Sequence, residues 1–172
     1  MPDPSDPELV ERANRGEVEA FAALYRRYRD WVVALAERHT GNRDDALDVL
    51  QDTFAHLFGR FPGFVLTAQL KTYLYPVVRH LSLDRIRRRR PEVDVDTLAD
   101  TLPAPPASVA DSGLGHLLDA MPAAQREVLL LRYADDLSLA QIAEALAIPL
   151  GTVKSRLHTA LAALKERMQR TS

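Results

Sequence analysis

Five histidines, His39, His56, His80, His116 and His158, are the side chains best suited to metal or acid–base chemistry, and they are scattered. No two stand at the helical spacing that would place a pair of ligands on one face, and no glycine-rich loop exists to cradle a phosphate. Cysteine is absent. Disulfides, thiolate zinc sites, iron–sulfur clusters and a cysteine nucleophile are excluded together, which fits a reducing cytoplasm. What the chain does concentrate is cationic charge. Residues 79–90 hold six Arg against one Asp, and residues 152–172 hold five Lys or Arg against one Glu. Between them, residues 91–116 carry five acids and no Lys or Arg, so the net charge of −2 hides a sorted distribution. Two basic stretches offset by an acidic one suit a polyanion partner better than a catalytic site.

The second basic stretch has the sharper pattern. Over a final helix from about residue 151 to 168, Val153, Leu157, Ala160 and Leu164 cluster on one face and point to a core. Ser155, His158 and Ala162 fall opposite, flanked by Lys154, Thr159 and Lys165, while Arg156 sits at the edge of the apolar stripe. Upstream, Ser138-Leu139-Ala140-Gln141 has the form of a capping box that starts a short helix to Leu146. Ala147-Ile148-Pro149 is then the turn, and the small Ala140 and Ala143 allow close helix approach. Two short helices, a tight turn and a polar, basic outer face predict a helix-turn-helix, whose second helix offers its N-terminal end to base edges. Lysine can donate to guanine O6 and N7, serine can donate or accept, and a threonine methyl can pack on a thymine methyl. A solvated helical hairpin in an interaction domain would also show a polar face.

These side chains need helices to hold them. Only 7 glycines and a hydrophobic fraction of 47% favour packed helices over a turn-rich sheet. An amphipathic helix is predicted over 17–38, with Phe21, Leu24, Tyr25, Tyr28, Val32 and Leu35 on its stripe. Asn42 or Asp44 caps a second helix over 45–60, and Phe61-Pro62-Gly63-Phe64 is a loop. A further helix from about 67 to 89 contains Pro76, which should kink or split it. Residues 91–116, with four prolines and no sustained apolar period, read as a linker. A last helix enters at Pro122 and runs to about Tyr133. The expected fold is all-α: two small helical domains, 8–90 and 114–169, joined by a flexible linker at 91–113. The acidic, proline-rich start lacks the basic region and apolar core of a signal peptide, and no apolar run is long enough to insert in a bilayer. A cytoplasmic location is expected.

With those residues in place, the chain resembles bacterial sigma factors of the sigma-70 family, extracytoplasmic-function type. Met121-Pro122-Ala123-Ala124-Gln125-Arg126-Glu127-Val128-Leu129-Leu130-Leu131-Arg132-Tyr133 is similar to the first helix of the family's region 4. Ile142-Ala143-Glu144-Ala145-Leu146 and Gly151-Thr152-Val153-Lys154-Ser155-Arg156-Leu157 resemble its helix-turn-helix. Asp48-Val49-Leu50-Gln51-Asp52-Thr53-Phe54 resembles the region 2 helix that grips polymerase. Leu74-Tyr75 through Arg79, and Leu83-Asp84-Arg85-Ile86-Arg87-Arg88, resemble the helix that engages the −10 promoter element. Departures are Tyr73 for the usual Trp, Pro76 and His80 where Arg and Asn are common, Thr159 where Arg is frequent, and Ala147 and Pro149-Leu150 in the turn.

The resemblance implies a non-enzymatic subunit that directs polymerase core to promoters, with no cofactor, metal or small-molecule substrate. It assigns −35 contacts to Arg132, Thr152, Lys154, Ser155, Arg156, His158 and Thr159. It implies −10 contacts from Phe61, Phe64, Arg79, His80, Arg85, Arg87 and Arg88, the arginines on phosphates and the phenylalanines either beside an unstacked base or finishing the core, with His80 one helix face away, lining the pocket for that base or serving as a structural histidine. Asp48, Gln51 and Asp52 would dock on the polymerase. The implied partners are RNA polymerase core, through its β′ clamp and β flap, promoter DNA, and an anti-sigma factor. A stand-alone helix-turn-helix regulator that needs no polymerase is the competing reading.

Overall fold

The computed structural model describes residues 2–94, 97, 104 and 112–171. All regular structure among them is helical, and the chain divides into two compact units, Met1–Arg85 and Ile86–Ser172. Of the linker predicted at 91–113, residues 95, 96, 98–103 and 105–111 lie outside the described residues.

In the first unit, α1 spans Asp6–Asn14, α2 Val18–Thr40 and α3 Arg43–Phe58, and α4, Leu70–Arg89, begins there and runs four residues past its boundary at Arg85. Helix α1 was not expected, although its start is written locally. Ser5 accepts from the Glu8 amide, and the Glu8 carboxylate accepts from the Ser5 amide at 2.7 Å, a reciprocal cap. That cap holds the Glu8 carboxyl below its usual range, the Ser5 hydroxyl contributing most. Asp6 then ties α1 to α2, accepting from Arg27 at 2.6 Å and from the Tyr28 hydroxyl. Burial, with Asp6 alongside, pushes the Tyr28 phenol well up.

Gly41, in the left-handed region at φ 65°, stops α2, and the Asn42 side chain caps α3 by accepting from the Asp45 amide at 2.9 Å. The apolar stripes of these helices meet in one core. Leu24, Val32, Leu35, Val49, Leu57, Leu70, Leu74 and Val78 are fully buried. Each such side chain contributes roughly 1.5–3 kcal/mol, against about 0–1 kcal/mol for an exposed ion pair. Packing therefore holds this unit, and its ion pairs only set detail. Pro76 does not split α4, which runs unbroken from Leu70 to Arg89. The missing N–H costs the Thr72 carbonyl one partner, while the buried Leu74, Tyr75 and Val78 fasten the helix on both sides.

In the second unit, α5 spans Gly113–Asp119, α6 Ala123–Tyr133, α7 Leu139–Leu146 and α8 Leu150–Thr171. Helix α5 corrects the linker expectation at residues 113–116, where Ser112 caps a turn that begins in two glycines. Its C-terminal carbonyls are taken by Arg167 of α8, which donates to Leu117 at 3.1 Å and Ala120 at 3.1 Å. Val128, Leu131, Leu137, Ile142, Val153 and Ala160 form the core of this unit.

Candidate nucleic-acid and polymerase interfaces

The helix-turn-helix has the geometry the sequence implied. The Ser138 amide donates to the Gln141 side chain at 2.8 Å, and the Gln141 amide donates back to the Ser138 hydroxyl at 3.2 Å. Helix α7 ends at Ala147, a non-glycine residue at φ 52°. That conformation costs roughly 1–2 kcal/mol for an L side chain. The Ile148 amide bonds the Ala143 carbonyl at 3.0 Å, which closes the turn around it. Helix α8 then starts from Pro149, whose carbonyl accepts from the Thr152 and Val153 amides.

On α8 the buried face is Val153, Leu157 and Ala160, and Lys154, Ser155, His158 and Thr159 are all exposed. Leu164, expected in the core, is half-buried, as are Thr152 and Arg156. The Thr159 hydroxyl donates back to the Ser155 carbonyl at 3.0 Å. Arg132 is placed differently from a freely presented contact. It donates to the Leu137 carbonyl at 3.1 Å, and its guanidinium lies 5.9 Å from the Tyr133 ring centroid. It braces the α6–α7 turn.

The first unit brings two predicted groups together. Arg85 reaches from α4 to α3 and pairs with Asp48 at 3.0 Å and Asp52 at 3.4 Å. One guanidinium thus bridges both acids of the predicted docking face, and Gln51 lies exposed on the same helix. Arg87 and Arg88 are exposed and Arg79 half-buried.

The 59–69 connection carries Phe61 and Phe64 into an aromatic chain. Phe21 of α2 meets Phe58 at 5.0 Å and Phe61 at 5.2 Å, Phe61 meets Phe64 at 5.3 Å, and Phe64 meets Tyr73 of α4 at 5.0 Å, centroid to centroid. Both loop rings are half-buried, while Pro62 and Gly63 at the tip are exposed. The tip is held by a residue that sequence reasoning missed. Asn14, at the end of α1, donates to the Phe64 carbonyl at 2.8 Å and accepts from the Gly63 and Phe64 amides at 2.7 and 3.1 Å. Its partners are backbone atoms some 50 positions away, so no local pattern announces the contact.

His80 does not join Phe61 and Phe64. It lines a cavity of about 270 Å³ with His56, Pro76, Val77 and Leu81, and its imidazole is 3.5 Å from Asp84. His39 is fully buried against Tyr75, and neither ring nitrogen finds a hydrogen-bond partner among the described residues. Burial, then the nearby charges of Arg38 and Arg79, push it down to about 3. Among the described residues no three His, Asp or Glu could together hold a metal ion, and no helix is long and apolar enough to cross a membrane.

Comparison with known proteins fixes what this pair of units is. The sequence model for sigma-70 region 2 matches residues 24–92, and that for sigma-70, region 4 matches residues 113–164. The RNA polymerase sigma-E factor of Streptomyces avermitilis is 32% identical over 90% of this chain and 88% of its own. The chain belongs to the sigma-70 family, as an extracytoplasmic-function sigma factor.

The ECF sigma factor SigW of Bacillus subtilis is 29% identical over 93% of this chain and 95% of its own. Among solved structures, the sigma factor RpoE of Bartonella quintana, crystallised with the anti-sigma factor NepR, superposes with a TM-score of 0.65 at 25% identity. It covers 88% of this chain and 98% of its own. CnrH, solved with the cytosolic domain of CnrY, shares the fold at a TM-score of 0.67 and 23% identity, covering 97% of this chain and 99% of its own. This sigma factor is therefore a non-catalytic subunit that directs RNA polymerase to promoters, with region 4 as its helix-turn-helix.

Proposed function

We propose that the two regions divide promoter reading between two surfaces, and that a third surface fastens the sigma factor to polymerase. Region 4 reads the −35 element with Lys154, Ser155, His158 and Thr159. The observation that carries this reading is their joint exposure on one side of α8, opposite Val153, Leu157 and Ala160, at the helix end that enters a major groove. Thr152 and Arg156, half-buried at the edge, are placed for phosphates, and Arg132 supports the turn more than it reads bases.

Region 2 reads the −10 element. The exposed Arg87 and Arg88, with Arg79, neutralise phosphate, and Phe61 and Phe64 offer ring faces to an unstacked base. Asp48 and Asp52 share the charge of Arg85, which weakens it as a phosphate ligand. His80, which lines a separate cavity with His56, Pro76, Val77 and Leu81, serves as a flanking contact.

Asp48, Gln51 and Asp52 on α3 face a cationic surface of the polymerase β′ clamp, and region 4 meets the β flap. An anti-sigma factor is a further partner, in keeping with the complex described for the Bartonella quintana relative. A subunit that works on polymerase core and promoter DNA acts in the cytoplasm, which is the location this reading implies. Transcription by core polymerase with this chain, on promoter pairs that differ only in the −10 or only in the −35 element, tests the division. Indifference to both changes would overturn it.

A further inference from the structure

We propose that Asn14 is a positioning residue for −10 recognition, so that α1 is a working part of the base-reading site. The inference rests on the reading of the Phe61–Phe64 loop as the −10 reader. Helix α1 ends at residue 14, whereas the region 2 match begins at residue 24, so Asn14 stands outside the segment that defines the region.

The contact is built on both sides. Asn14 uses its amide nitrogen on the Phe64 carbonyl and its amide oxygen on the Phe64 and Gly63 amides. It thereby pairs with Phe64 as a neighbouring peptide would and fixes the backbone that aims the ring. Asn14 is itself held in place. The Glu17 carboxylate grips Arg12 at 2.8 Å and Arg15 at 3.0 Å across the α1–α2 turn, while Gly16 at φ 82° lets the chain reverse. Leu9, Val10 and Ala13 bury the other face of α1.

The loop needs such an anchor. Between α3 and α4 it has no regular structure, and its tip is exposed. Water can satisfy the same three backbone groups if Asn14 is removed, so folding should lose little. Recognition should lose more, because the cost of ordering the tip then falls on DNA binding. A mobile tip also adapts to wrong bases and erodes the penalty that rejects them.

The test uses the full chain bound to core polymerase, on a promoter selected from a randomised library and on its −10 variants. Asn14→Ala should keep wild-type affinity for core and wild-type dependence on the −35 element. Its preference for the selected −10 sequence over variants should fall about tenfold, the scale of one or two net hydrogen bonds. Asn14→Asp keeps the two amide contacts but sets an oxygen against the Phe64 carbonyl, so it should lose part of that preference, and it decides the question if the alanine variant fails to fold. Phe64→Ala is the control for the reading beneath. If Phe64→Ala erodes −10 preference and neither Asn14 variant does, the inference is wrong and the loop reading stands. If all three leave the preference unchanged, the loop is not the reader and both fall.

Discussion

Lys154 and His158 are one turn apart on α8 and both exposed, so removing either side chain leaves the buried Val153, Leu157 and Ala160 untouched. Lys154→Ala and His158→Ala should each weaken −35 binding with no change in helicity, by roughly 1–3 kcal/mol where a specific base contact is lost. Competition among −35 variants separates a base contact from a phosphate contact, since loss of the latter lowers salt dependence and leaves discrimination intact. Unchanged binding in both variants would contradict the assignment of this face. His39 makes the opposite kind of prediction. It stays neutral in the folded chain down to about pH 3, whereas its usual value is 6.5. Below about pH 6.5 the unfolded chain binds a proton that the folded one refuses, so stability falls as pH drops through this window. One such group contributes a slope of at most about 1.4 kcal/mol per pH unit. Denaturant unfolding of His39→Phe between about pH 6 and pH 4 should show a slope flatter by that one proton. An identical slope would place the buried imidazole wrongly.

At the scale of helices, the proposed docking face of α3 is coupled to α4 through Arg85. Asp48→Arg with Gln51→Ala should abolish co-purification with core polymerase while helicity stays normal. Because Asp48 also holds Arg85, Gln51→Arg is the cleaner companion, as Gln51 lies outside that ion-pair group. Normal promoter-dependent transcription by both variants would exclude this face from docking. The same scale shows what could be read from the sequence. The helix-turn-helix was legible because its signals are local: Ser138 and Gln141 three apart, and an apolar stripe with a polar opposite face. Phe61-Pro62-Gly63-Phe64 reads as a loop from its own residues and lies between α3 and α4, and the α3 acids stand in a stretch that resembles region 2. Helix α1 is hard to read because three prolines and several acids precede its apolar residues, although Ser5 and Glu8 announce its start. Helix α5 is hard to read because two glycines in seven residues lower its propensity, which Ser112 and Arg167 offset. The Arg85 bridge and the Asn14 anchor join positions 33 to 50 apart, so only tertiary packing reveals them.

At the scale of the whole protein, under the function proposed above, neither reading surface is sufficient by itself. Region 4 meets duplex DNA directly, whereas the bases of a −10 element become readable only once unstacked, at a cost of a few kcal/mol per step. Phe61 and Phe64 are half-buried in their own aromatic chain and have limited area to repay that cost. Polymerase, which stabilises the melted strand, removes the penalty. The stand-alone regulator makes the contrary demand, that the purified chain be selective for both elements. The deciding measurement is titration of a labelled duplex promoter with the full chain, alone and with core polymerase. Without core, binding should be weak, strongly salt-dependent and indifferent to changes in the −10 element; with core, it should become specific for both elements. Binding by the chain alone on the order of nanomolar or tighter, and selective for both elements, would contradict the account.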